Sequence, residues 1–124
     1  MTQVDTDGSS FERIGGITAA RQAVDRLYVL ILADRDLVGY FTEVNMPKQK
    51  AHMAAFLAKV LGGPDEYTGR TLSDAHLPLG ITREHYARVC GYVIDIFTDL
   101  DVAVDIIQSV SMTLASVESQ IARA

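Results

Sequence analysis

Tryptophan is absent from the chain, cysteine occurs once, and no apolar run approaches the roughly 18 residues of a membrane span. The single cysteine, Cys90, excludes an intramolecular disulfide framework and fits a reducing cytoplasm. It lies in an apolar helical pattern and reads as a buried, inert thiol. No charged-then-apolar leader opens the sequence, so a soluble, cytoplasmic protein is expected, with no membrane partner. Acidic residues outnumber basic ones, 16 to 11, for a net charge of −5. No Lys/Arg cluster offers the electrostatic footprint that nucleic-acid binding needs. Also missing are HExxH and CxxC spacings, any Cys/His cluster, a nucleophile elbow and a phosphate-binding glycine loop. No stretch reads as paired strands joined by hairpin turns, and there is neither an internal repeat nor a linker.

What is present is helical periodicity throughout, in a chain long enough at 124 residues for one real core. Residues 1–10 are polar and aperiodic and read as a disordered tail; residues 11–124 read as one all-α domain. Ser9 and Glu12 have capping-box spacing for a short first helix ending at Gly15-Gly16. Thr18 is expected to cap a second helix over residues 19–33, with Ala20, Val24, Leu27, Tyr28, Ile31 and Leu32 on its apolar face. A corner over residues 34–44 contains one helical turn carrying Tyr40 and Phe41. Thr82 caps a long helix over residues 83–99, which buries Tyr86, Val89, Cys90, Val93, Ile94 and Phe97. A last helix over residues 102–122 presents Val104, Ile107, Val110, Leu114, Val117 and Ile121.

The most informative stretch is NMPKQKAHMAAFLAKVLGG, residues 45–63. Asn45 is a good N-cap, Pro47 suits the first turn, and Gly62, Gly63 and Pro64 end the helix. Gln49, His52, Met53, Phe56 and Val60 recur at helical spacing and are expected to share one face. Its N-terminal half carries an amide, an imidazole and a thioether, more polarity than a plain core stripe requires. Of the three histidines, His52, His76 and His85, none forms a metal motif with another by local spacing. Taken alone, His76 on a short helix reads more readily as a structural histidine than as a ligand. His85 begins the long helix and is expected to be exposed.

The segments FERIGG, DRLYVLILAD, GYFTEVNM, KQKAHMAAFLAKVLGGP, YTGRTLSDAH and LGITREHY, in this order, resemble the group I truncated haemoglobins over nearly the full length. The paired glycines Gly15-Gly16 and Gly62-Gly63 match that family's glycine motifs. The resemblance implies a shortened globin fold, a two-over-two helical sandwich around haem b held non-covalently. His76, in DAH, takes the proximal iron-ligand position, and its second ring nitrogen would donate to a backbone carbonyl. Phe41 matches the corner aromatic that packs on the porphyrin. Tyr28 matches the distal tyrosine, a hydrogen-bond donor to a bound gas. Gln49 is a second candidate donor. Met53 stands where several relatives carry Gln; a thioether donates nothing, so the polar distal network is smaller. Met46, Lys50, Phe56, Leu57, Leu72, Leu79, Ile81, Tyr86, Val89, Val110 and Leu114 are the implied haem contacts, and for the apolar ones an ordinary core role is compatible.

His52 resembles the histidine of a family subset that binds iron reversibly when no gas is present. The alternative is a histidine at the pocket edge, bonded to a propionate or water; Met53 as sixth ligand is a further option. Some relatives link haem covalently to a histidine of the last helix, and no histidine follows His85 here. The implied partners are O2, NO and CO, with an external reductase if nitric oxide is converted to nitrate, and a monomer or weak homodimer is expected. A bis-histidyl redox or sensor protein is the competing reading. A haem-free helical interaction domain is a third, against which stand Tyr28, Phe41 and His76.

Overall fold

A computed structural model of the chain describes residues 10–62 and 80–122. Those residues form helices α1 (Ser10–Ile14) and α2 (Gly16–Leu32), a 3-10 turn (Val38–Phe41), and helices α3 (Met46–Val60), α4 (Arg83–Asp99), α5 (Val104–Ser116) and α6 (Glu118–Ile121). Helix α1 starts at Ser10, the last position assigned to the tail; residues 1–9 lie outside the described residues.

The first joint departs from expectation. Gly15 adopts φ +114° and Gly16 φ +72°, a left-handed conformation that a side chain would resist, so the chain turns there and α2 begins at once. Thr18 therefore lies inside the first turn of α2 and caps nothing. Ala20, Ala23, Val24, Leu27, Tyr28 and Ile31 form the buried face of α2, whereas Leu32, expected on it, is exposed.

Helix α2 is the centre of the packing and lies against both α3 and α4. The core joins Val24, Leu27 and Ile31 to Leu57 and Leu61, Val93, Ile96 and Phe97, and Ile106 and Val110. Each such side chain, removed from water, contributes about 1.5–3 kcal/mol before chain entropy is set against it. The seam lined by Ala23, Leu27, Leu57, Val93, Ile96 and Phe97 has no room for a water molecule. The Phe11 N–H donates to the Leu61 carbonyl at 2.8 Å and ties α1 to the end of α3.

Two caps stand where the sequence puts them. The Asn45 side chain accepts from the Lys48 N–H at 3.0 Å, and the Thr82 hydroxyl accepts from the His85 N–H at 3.1 Å. Gly62, at φ +83°, closes the end of α3. In α4, Ile96 is fully buried and Ile94 only half-buried, the reverse of the expected weighting.

The C-terminal region is not one helix. Asp101 takes φ +60° in a turn that delays α5 to Val104, and the helix breaks at Val117 before α6. The delay rotates the buried stripe: Ile106, Val110 and Leu114 face the core, while Val104, expected inside, is 69% exposed. The side chain of Ile121 lies outside what is described. The Tyr86 hydroxyl donates to the Leu114 carbonyl and bolts α4 to α5. Burial pushes the Tyr86 phenol far above its ordinary range, so it keeps its proton and remains a donor. Tyr86→Phe is expected to cost about 1–2 kcal/mol of stability, since a buried acceptor loses its partner; urea unfolding followed by circular dichroism would read this as a lower midpoint at unchanged slope.

No described helix is long and apolar enough to cross a membrane.

Candidate functional site

Helix α3 divides into three stripes. Ala54, Leu57 and Ala58 enter the core; Gln49, Met53, Phe56 and Val60 are half-buried; Lys48, Ala51, His52 and Lys59 are exposed. His52 thus lies at the solvent edge of the half-buried stripe rather than on it. Its position relative to Gln49, three residues on, is rotated outward by most of a quadrant, which the looser periodicity of a sequence pattern does not separate.

The half-buried stripe meets α2 through one polar contact. The Gln49 amide Nε2 donates to the Tyr28 phenol oxygen at 3.0 Å. Tyr28 is 1% exposed, and Phe41 packs its ring edge-on against it, with centroids 5.5 Å apart and planes at 85°. Burial raises the Tyr28 phenol above its usual range, and the bond from Gln49 offsets part of that rise. The group is therefore a protonated phenol whose oxygen already accepts from an amide, with its own hydrogen left to donate.

The other expected site residues fall into three groups. Phe41, Met46, Met53, Phe56 and Val89 are half-buried and pack on the core, and Ile81 is half-buried beside Tyr86 and Ala122. Leu57, Tyr86, Val110 and Leu114 are buried, and the Tyr86 hydroxyl is already spent on Leu114. His76, Leu72 and Leu79 lie outside the described residues. Lys50 sends its ammonium to the Asp25 carboxylate of α2 at 3.3 Å. Cys90, expected buried, is half-buried; burial raises its thiol above the usual range, which keeps it protonated and unreactive.

A second polar cluster is not anticipated by the sequence pattern. His85, expected exposed, is half-buried, and its Nδ1 lies 2.7 Å from the Tyr40 hydroxyl. Arg88 donates from Nη1 to both Asp34 oxygens, at 3.1 and 3.2 Å, and to Asp36 at 2.9 Å. The Tyr92 hydroxyl donates to Asp34 at 2.7 Å. Tyr92 and Arg88 hold the Asp34 carboxyl below its ordinary range, the Tyr92 bond contributing most. The signal available was the polar spacing i, i+3, i+7 of His85, Arg88 and Tyr92 on α4.

Among the described residues no three His, Cys, Asp or Glu converge to hold a bare metal ion. A haem asks less of the protein, because the porphyrin supplies four nitrogens and the chain only one or two imidazoles. Half-buried Phe41, Met46, Met53, Phe56 and Val89 suit an apolar macrocycle, and the Tyr28–Gln49 pair suits a polar ligand beside it.

Comparison with known proteins gives the family. Residues 9–122 match the family model of the bacterial-like globins. The group 1 truncated hemoglobin GlbN of Mycolicibacterium paratuberculosis is 36% identical over 114 residues, covering 92% of this chain and 84% of the relative. The 2/2 hemoglobin of Synechococcus sp., solved in the cyanomet state with covalently attached heme, superposes with a TM-score of 0.82 at 31% identity, covering 90% of this chain and 94% of that one. The truncated hemoglobin of Tetrahymena pyriformis in its Fe(III) form reaches 0.85 at 23% identity, covering 93% and 98%, which bears on the fold alone. Family and fold together define a haem-binding globin. Within that class, the chain belongs to the group 1 truncated hemoglobins.

Proposed function

We propose that the chain holds haem b non-covalently, with His76 as proximal iron ligand, and takes up O2, NO and CO on the side of Tyr28 and Gln49. The observation that supports this is the Gln49-to-Tyr28 hydrogen bond inside the core. It fixes the phenol and orients its proton away from the amide, where a gas with partial negative charge can receive it. Met53 adds bulk and no donor. The haem iron supplies the gas-binding and one-electron chemistry. Phe41, Met46, Phe56 and Val89 would hold the macrocycle and exclude water.

With haem bound, the site would support conversion of nitric oxide and dioxygen to nitrate, which would need one electron per turnover from outside the chain. That electron comes from a separate reductase, since the sequence carries no flavin or nicotinamide motif. The lack of a histidine after His85 in this sequence supports the reading of non-covalent attachment. A cytoplasmic monomer or weak homodimer is the expected setting.

His52 is a reversible sixth ligand in this reading. Its exposed side chain would have to swing inward to reach the iron, and a gas binds only in the fraction of molecules where it has swung out. With that fraction between about a tenth and a hundredth, His52→Ala should speed carbon monoxide binding by about 10- to 100-fold. Absorption spectra of the haem-loaded protein test the same point. Low-spin six-coordinate spectra in both oxidation states, lost in His52→Ala, would support the internal ligand. A five-coordinate ferrous spectrum with unchanged carbon monoxide kinetics would place His52 at the pocket edge and leave an open gas site. A chain that takes up no haem would sink the proposal.

A further inference from the structure

We infer that His85, Arg88 and Tyr92, one polar stripe of α4, are positioning residues for the gas site, acting through the corner that carries Phe41. The inference rests on the gas-site reading above and adds to it a set of residues whose hydrogen bonds go to the corner.

The corner spans residues 34–41. It is knit internally: the Asp34 carbonyl accepts from the N–H groups of Leu37 and Val38 at 3.1 and 2.9 Å, and the Leu37 carbonyl from Tyr40 at 3.1 Å. The Asp34 side chain also accepts from the Asp36 N–H at 2.9 Å. Leu37, 1% exposed, is its apolar anchor. Leu37 lies in the core and Tyr40 and Phe41 pack on it, while the side-chain hydrogen bonds that fix the two ends are made elsewhere. Those bonds come from α4. His85, Arg88 and Tyr92 follow i, i+3, i+7 spacing and so stack along one face. The first binds Tyr40 at the far end of the corner, and the other two bind Asp34 at its start. The Tyr40 and His85 rings also meet edge to face at 5.7 Å. Both ends of the corner are thereby fixed to one rigid helix.

Phe41 follows Tyr40 directly, and its ring sets the edge-on contact at Tyr28. A phenol donates well to a gas only in a narrow range of angles. If the corner shifts, Phe41 moves, the Tyr28 ring gains freedom, and the donated bond weakens. The stripe therefore governs gas retention through the corner.

The test is Tyr40→Phe combined with Tyr92→Phe, which removes two hydroxyls and keeps both rings. Three readouts apply: oxygen dissociation by stopped flow, the width of the carbonyl C–O stretching band, and amide exchange at Leu37, Val38 and Tyr40, the last in haem-free and haem-loaded chain alike. We expect exchange at least tenfold faster, oxygen release at least threefold faster and a broadened C–O band. In a Tyr28→Phe background the same pair of substitutions should leave oxygen release unchanged, because the affected donor is gone. Faster exchange with unaltered release and band would overturn the inference, as would an equal effect on release in the Tyr28→Phe background. Wild-type protein that forms no carbonyl complex would overturn the gas-site reading itself, a separate failure from a complex that forms and ignores the corner.

Discussion

Oxygen is expected to leave the haem-loaded Tyr28→Phe protein about 10- to 100-fold faster than it leaves the wild type. The argument starts from burial. Tyr28 is 1% exposed and its phenol is held above the ordinary range, so at neutral pH it is a neutral donor out of reach of bulk water. Its oxygen accepts from Gln49, which turns the hydrogen toward the remaining space. A hydrogen bond to a group bearing negative charge, made where water does not compete, contributes on the order of 1.5–3 kcal/mol. Each 1.4 kcal/mol is a factor of ten in an equilibrium constant, and the whole difference appears in release if the rate of entry is unchanged. Carbon monoxide carries little charge on its outer atom, so its release should change far less. Phenylalanine keeps the ring and its contact with Phe41, which separates the lost bond from lost packing. Equal acceleration for both gases would mean that Tyr28 acts as bulk rather than as a donor. Met53 donates nothing, so the Gln49 amide, which loses its acceptor in this variant, is the candidate donor that remains.

The parts of this molecule that could be read from sequence are those fixed by local chemistry. The Asn45 and Thr82 caps form because a side-chain oxygen three residues before an unpaired N–H reaches it in any helix start. The buried run of α2, Ala20 to Ile31, follows a clean 3.6 repeat, and Leu32, expected on that face, falls outside it. Where apolar residues crowd, the repeat loses its phase. In α5, Ile106 and Ile107 are adjacent, either could lead the stripe, and the turn at Asp101 decides for Ile106. At the start of α2, Thr18 has the chemistry of a cap, yet two glycines able to take positive φ let the helix begin before it. The pairing of α4 with the corner links residues 45 to 58 positions apart, which no local pattern encodes. The same limit applies within the site. Helical spacing brings Gln49 to the right face, but only the packing of α2 on α3 shows that its partner is Tyr28. It also separates His52 from the stripe to which spacing assigns it.

The largest effect of all is expected from His76→Ala. The resemblance of the DAH segment to the family motif points to His76 as the proximal ligand, and a bond from its imidazole to the iron would hold the haem independently of apolar contact. Without it the macrocycle is held by Phe41, Met46, Phe56 and Val89 and their like. Each 1.4 kcal/mol of lost retention reads as a tenfold change. We expect at least one such decade in the rate of haem transfer to an apomyoglobin acceptor, together with loss of the imidazole-bound ferrous carbonyl spectrum. Free imidazole added to the variant should restore that spectrum, which a misfolded chain would not allow. The same variant bears on His52. If His52 reaches the iron, His76→Ala retains one imidazole ligand in the gas-free state and only the His52→Ala/His76→Ala pair loses it; if His52 stays at the solvent edge where the structure places it, the single substitution removes histidine ligation entirely. Unchanged haem retention and an unchanged carbonyl spectrum in the double variant would show that neither histidine holds the iron, and the assignment carried by the DAH motif would fall.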